Sequence, residues 1–136
     1  VYGPFDGENT LVTSTINKLI SGSLPEFSSG TQIWDFLFSE DAADALLNIG
    51  LKSKKGGIYI IASGIGLELK NFILQITEKF NINGSKFLNK ISSNPKSVQF
   101  LVGDISRLKN EFNWKPKVNF KQGLEKTIEY LELKNQ

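Results

Sequence analysis

Apolar residues recur along the chain at helical spacing in four places and gather into strand-length runs in three others. Over 10–20, Val12, Ile16, Leu19 and Ile20 fall at i, i+4, i+7 and i+8, one face of a helix that Ser21-Gly22 ends. Residues 24–30 hold a proline and a serine-glycine turn and read as a loop or short strand, and the aromatic run 32–38 predicts a strand. Ser39 is placed to cap the next helix, with Glu40 and Asp41 in its first turn, where the helix dipole favours negative charge. A basic, glycine-ended connection over 51–57 leads to a continuous apolar run, 58–62, which predicts a strand buried on both faces. Leu69, Phe72, Ile73, Ile76 and Phe80 make the strongest helical stripe, ended by 81–84. A loop over 86–96, with room for a short strand at 87–91, precedes a strand over 98–102. Asp104 can cap a helix carrying Leu108 and Phe112 that stops before Pro116. Asn119 and Gln122 stand at capping-box spacing before a last helix striped by Leu124, Ile128 and Leu131.

The expectation is one α/β domain over 1–136, long enough to bury roughly two-thirds of its unfolded surface. Sixteen basic and fourteen acidic residues leave a net charge of +2 without a run of one sign, so no nucleic-acid or anionic-membrane partner is expected. The absence of cysteine excludes disulfides, thiolate metal sites and cysteine nucleophiles, and fits a reducing compartment. The absence of histidine closes zinc chemistry and histidine acid–base work to this segment. No apolar run approaches the roughly 18–20 residues of a membrane span, and no signal peptide is read; a cytoplasmic setting is expected.

Few residues invite chemistry. Gly64-Ile65-Gly66 begins like a dinucleotide loop, but Leu69 stands where the third glycine belongs, so a tight turn between strand and helix is the better reading. Glu40, Asp41 and Asp44 form an acidic cluster; helix capping explains the first two, and no metal site is expected. Asn83-Gly84-Ser85 fits the glycosylation sequon in form alone. Phe27, Gln32 and Trp34 combine flat aromatic surface with an amide, which suits a base or a sugar, although core packing is the commoner use of such residues.

Three segments in fixed order carry a resemblance: Val1-Tyr2-Gly3-Pro4, residues 34–46 (WDFLFSEDAADAL) and residues 104–124 (DISRLKNEFNWKPKVNFKQGL). Together they resemble the extended short-chain dehydrogenase/reductase family, the NAD(P)-dependent epimerases, dehydratases and reductases of nucleotide-activated sugars. The variant Ile33-Trp34-Asp35-Phe36 with Glu40-Asp41-Ala42-Ala43 looks most like the branch containing 4-keto-reductases of CDP-linked deoxysugars, such as the abequose synthases. The resemblance implies the C-terminal, substrate-binding lobe of such an enzyme, plus late strands and helices of its Rossmann-like sheet. It places Tyr2 and Pro4 beside the nicotinamide, and Thr10, Leu11, Phe27, Gln32 and Trp34 around the nucleotide-sugar, with Lys96 the nearest cation for its diphosphate.

The family's glycine-rich loop and catalytic tyrosine-x-x-x-lysine precede the Tyr-Gly-Pro turn, so the chain is expected to be part of a larger enzyme, inactive by itself and without cofactor of its own. No catalytic residue is expected within it. The parent is expected to use NAD or NADP, to take a nucleotide-diphosphate sugar and to form a homo-oligomer. Two departures weaken the phosphate grip: Trp34 replaces an arginine common in relatives, and the loop before Asp104 lacks a second one. A lysine acts as a point charge where an arginine fork makes two charge-assisted bonds. The alternative is a non-catalytic relative that keeps the fold as a binding or regulatory module. A purely structural domain is disfavoured by the ordered motifs.

Overall fold

The computed structural model describes residues 1–54 and 56–134; Lys55 of the basic connection, with Asn135 and Gln136, lies outside the described residues. In chain order the elements are α1 (Leu11–Ile20), β1 (Ile33–Asp35), α2 (Ser39–Lys52), β2 (Gly66–Glu68), α3 (Leu69–Lys79), a 3-10 turn (Gly84–Phe87), β3 (Phe100–Leu101), α4 (Ser106–Phe112) and α5 (Phe120–Lys134). The three strands form one small sheet in the order β2-β1-β3, with β1 antiparallel to β2 and parallel to β3.

The predicted helices form where their apolar stripes can be buried. Val12, Ile16 and Leu19 of α1, Ile76 of α3, and Leu124 and Leu131 of α5 share one core with Tyr2 and Phe38. Leu37, Ala45, Ile105, Leu108, Phe112 and Trp114 make a second. Alternation along 36–38 feeds both: Phe36 and Phe38 turn to the first core, Leu37 to the second. Asn119 and Gln122 exchange side-chain and backbone hydrogen bonds at the start of α5, the reciprocal cap their spacing predicts. The Asp104 carboxylate accepts the Ser106 N–H, but Ile105 and not Asp104 holds the N-cap position of α4.

Several expectations are corrected: the strand predicted over 98–102 keeps Phe100–Leu101, and 87–91 forms no strand. The strand predicted over 32–38 keeps only Ile33–Asp35 in the sheet, because Phe38 instead makes an isolated parallel bridge to Tyr2. Ser39 is the first residue of α2, not its cap; Phe38 holds that position, and the Ser39 N–H goes to the Tyr2 carbonyl. Gly66, expected in a turn, opens β2 opposite Asp35. Residues 58–62 are not paired into a strand with any described segment, and their burial alternates: Tyr59 and Ile61 pack on the second core while Ile58 is 88 % and Ile60 51 % exposed. A continuous apolar run promised two covered faces, and the described residues cover one.

Two carboxylates on α2 clamp the approach to α5. Asp41, 2 % exposed, accepts the backbone N–H groups of Lys117 (3.1 Å) and Val118 (2.9 Å). Asp44 accepts the Trp114 indole N–H at 2.8 Å and the Lys117 ammonium at 3.1 Å. Lys117 first, and Trp114 with it, hold the Asp44 carboxyl below the usual carboxylate range. α4 ends at Asn113 in the left-handed conformation (φ +52°), and the two amides that follow Pro116 meet the Asp41 carboxylate.

The clamp seats α5 beside Tyr2. Gly123 faces the Tyr2 hydroxyl and the Phe38 ring so closely that a Cβ there would collide with both. Tyr2 is 1 % exposed and donates its hydroxyl to the Phe120 carbonyl at 3.0 Å. Burial first, and the Asp41 carboxylate second, push its phenol well above the ordinary value. A raised phenol favours the fold fully below the unfolded-state pKa near 10, and the contribution is lost as pH climbs from there toward the folded value. Urea titrations between about pH 8 and 11 should therefore show wild-type stability falling faster than that of Tyr2→Phe above pH ~10, by up to ~1.4 kcal/mol per unit. Parallel curves would show that the phenol ionises in the folded state at no cost.

The uncovered run 58–62, with Leu46, Leu47 and Leu51 exposed on α2, leaves apolar surface of the kind that recruits another chain. The isolated chain is expected to self-associate, as a dimer paired through strands or by exchange of an element. Sedimentation across a concentration series decides this, and a persistent monomer of 15.2 kDa would show that the chain closes its own core.

Candidate functional site

On one face of the sheet the central strand presents Trp34, flanked in register by Leu67 of β2 and Leu101 of β3. Leu67 is 39 % and Leu101 54 % exposed, so the strip is open to solvent. The indole N–H donates to the Val98 carbonyl at 2.8 Å, which fixes the ring edge-on to the loop before β3. Two residues further, Phe36 lies 6.4 Å from Trp34 between ring centroids and continues the strip into a cavity of ~470 Å³. Phe36, Phe72 and Phe120 form the cavity's aromatic wall, with Phe72 4.7 Å from each of the other two. Ser63, Gln75, Lys117, Asn119 and Lys121 supply its polar lining. An apolar groove with a few polar groups at its edge is the usual form of a small-molecule site.

Asp35, on the opposite face, holds the groove's floor in place. Its carboxylate accepts the N–H groups of Ser63 and Gly64, both at 2.8 Å, and of Gly103 at 3.3 Å. One side chain thereby ties the turn before β2 and the exit of β3 to the end of β1. A second tie runs from the loop ahead of β1 to α3: the Lys70 N–H donates to the Gly30 carbonyl and the Leu69 N–H to the Gln32 carbonyl. Gly30 has φ +65°, and a Cβ there would meet the Lys70 backbone, so this junction requires glycine.

The residues named from the sequence separate into four places. Gln32 and Trp34 come together beside the 94–99 loop, where the Gln32 amide nitrogen reaches the Ser97 hydroxyl at 3.4 Å and the buried Gln32 carbonyl oxygen is unpartnered among the described residues. Lys96 belongs to that loop, exposed, with its backbone N–H on the Asn94 side chain. Phe27 is half-buried, its N–H on the Phe87 carbonyl. Thr10 and Leu11 begin α1, with the Thr10 hydroxyl on the Asp6 carboxylate at 2.8 Å. Tyr2 is in the core, with its hydroxyl, N–H and carbonyl all engaged; Pro4 keeps partial exposure. Sequence reasoning missed Phe36, Leu67 and Leu101, although the alternation 32, 34, 36 pointed to a shared face for Phe36.

A dinucleotide cradle does not fit the described residues. The Gly64 N–H is committed to Asp35, and Gly66 to the sheet. The acidic cluster is likewise engaged, Glu40 with Lys126, Asp41 with the backbone at 117–118, and Asp44 with Trp114 and Lys117. Among the described residues no group of three or more acidic side chains is placed to hold a metal ion. Arg107, the one arginine in the sequence, binds Glu111 at 2.6 Å, the Ile58 carbonyl at 3.0 Å and the face of Tyr59. It fastens Ile58 and Tyr59 to α4, and its guanidinium is committed there.

Comparison with known proteins accounts for this arrangement. Residues 1–127 match the model of the family described as GDP-mannose 4,6 dehydratase. The CDP-abequose synthase of Salmonella typhimurium is 30 % identical over 137 residues, an alignment covering 96 % of this chain and 46 % of that protein. The NAD complex of dTDP-glucose 4,6-dehydratase from Bacillus anthracis superposes with a TM-score of 0.84 at 24 % identity, covering 97 % of this chain and 42 % of that one. A UDP-glucuronic acid 4-epimerase from Bacillus cereus, solved with UDP-glucuronic acid and NAD, gives 0.83 at 22 % identity over 97 % and 42 %. The chain thus spans less than half the length of these relatives, and its α/β fold corresponds to their C-terminal portion. It belongs to the GDP-mannose 4,6-dehydratase family, within the extended short-chain dehydrogenases/reductases.

Proposed function

We propose that this chain is the substrate-binding portion of an NAD(P)-dependent nucleotide-sugar epimerase, dehydratase or 4-keto-reductase. The observation that carries the reading is the open strip Leu67-Trp34-Leu101, in register across the sheet and continuous through Phe36 with the aromatic cavity. An indole face suits a base or the C–H face of a sugar, and the unpaired Gln32 carbonyl offers an acceptor beside it. The names of the relatives, a CDP-abequose synthase and dTDP-glucose 4,6-dehydratases among them, support a nucleotide-sugar as the ligand class.

Trp34 stacks on the substrate with Gln32 beside it; Phe27, Thr10 and Leu11, which lie apart from the groove, are assigned to the nucleotide by the family resemblance, the Thr10 hydroxyl being already held by Asp6. Lys96 meets the diphosphate as a point charge, since Arg107 is engaged elsewhere. Such a contact is screened by salt, so substrate affinity falls with ionic strength. The cofactor is bound mainly by the parent's remaining sequence, with Pro4 as this chain's contribution at the nicotinamide edge. No helix among the described residues is long and apolar enough to cross a membrane, and the proposed setting is cytoplasmic.

In the whole enzyme, Trp34→Ala should raise KM for the nucleotide-sugar roughly 10-fold while leaving the cofactor KM unchanged, the pattern of lost substrate binding by an aromatic worth ~1–3 kcal/mol. Unchanged constants for both ligands would make Trp34 a packing residue and remove the groove from the site.

A further inference from the structure

A second cleft, of ~220 Å³, opens between α1 and the C-terminal turn of α5 and shares no lining residue with the groove on the sheet. Thr13 and Asn17, one turn apart on α1, form its floor. Thr13 is 2 % exposed, and among the described residues its hydroxyl has no hydrogen-bond partner; neither has the buried carbonyl oxygen of Asn17. Two buried oxygens left unpaired on one helix face are costly, at about 1–3 kcal/mol each, and are uncommon in folded chains.

The walls narrow what could satisfy them. Phe5 stands at φ +66°, a left-handed conformation disfavoured for a bulky residue, and its ring lies 4.7 Å from that of Tyr130 between centroids. Phe5 is 85 % exposed, so the pair offers an aromatic surface at the mouth. The charged groups at the rim already have partners. Asp6 accepts from the Gly7 N–H and the Thr10 hydroxyl, and Glu8 pairs with Lys134 at 3.4 Å. The unmet demand is therefore neutral: one hydroxyl able to donate or accept, and one amide oxygen that needs a donor. The cleft is below the usual size of a drug-like pocket and about that of one sugar ring with its hydration.

We infer that this cleft is a second binding site, for a single neutral polyhydroxylated ring such as a free or terminal monosaccharide, held by Thr13 and Asn17 beneath the Phe5–Tyr130 pair. The ring's hydroxyls donate to the Asn17 oxygen and exchange a hydrogen bond with Thr13, and its C–H face lies on the aromatic pair. No nucleotide or phosphate is required, because Lys134, the lining cation among the described residues, is paired with Glu8.

The test is thermal unfolding of the protein with D-glucose, D-galactose and D-mannose, each raised to about 100 mM, against Thr13→Val and Asn17→Leu. Thr13→Val replaces an unpaired hydroxyl with an isosteric methyl and is expected to fold with an unchanged or higher Tm. Wild type should gain several degrees in a saturable way with at least one sugar, with a Kd of roughly 1–10 mM. Both variants should show only the shallow, unsaturated rise that sugars give any protein as osmolytes. Amide chemical shifts in wild type should move at Thr13, Asn17 and Tyr130 and should still do so in Trp34→Ala, which keeps this result independent of the groove. An equal rise in wild type and both variants, or shifts confined to the sheet groove, would overturn the inference and leave a water-filled cleft.

Discussion

The attachment of the 114–118 segment to α2 decides where everything else can sit. Asp41 and Asp44 lie on one face of α2 and together receive two backbone amides, an indole N–H and an ammonium. Without those four donors the buried Asp41 carboxylate would be stranded, and so would the amides that follow Pro116. With them, the chain enters α5 at one place and angle, and the reciprocal Asn119–Gln122 cap starts the helix there. Phe120 then becomes a wall of the groove and Gly123 the contact surface for Tyr2 and Phe38. The two longest family motifs are the two halves of this one joint.

Asp35 does for the sheet what Asp41 does for the helices. Strands of three residues or fewer make few ladder bonds, and a sheet this small needs ties beyond its ladder. The Asp35 carboxylate supplies them by gathering three N–H groups from the turns beside both neighbouring strands. Its neighbour Trp34 projects to the other face, as alternation requires, and no helix among the described residues covers it. The strand thus divides its duties by parity, with Asp35 holding the frame and Trp34 facing outward into the groove.

The helices were legible in the sequence because each stripe had a face to bury: α1, α3, α4 and α5 lie where Val12, Phe72, Leu108 and Leu124 predicted. The capping box was legible for a similar reason, since it is a local exchange of hydrogen bonds. What was not legible depended on partners distant in sequence. Asp41 reads as a first-turn acid until Lys117 and Val118 are seen beside it, and Gly66 reads as a turn until Asp35 is seen opposite. The run 58–62 carries the composition of a doubly buried strand, yet Ile58 and Ile60 are exposed among the described residues, and composition does not show which face is covered. Of the site, Trp34 and Gln32 could be named from residue type, but Leu67 and Leu101 became visible only through strand register.

The proposed substrate surface is the face of the sheet bearing Trp34. Hydrogen–deuterium exchange of the whole enzyme, with cofactor bound and with CDP-, dTDP- or UDP-linked sugars added in turn, tests it most directly. The account predicts that the sugar nucleotide turned over slows exchange in peptides covering 32–36, 65–68 and 97–101 together, since those three segments frame one groove. Protection confined to other segments, with these three unchanged at saturating ligand, would contradict it.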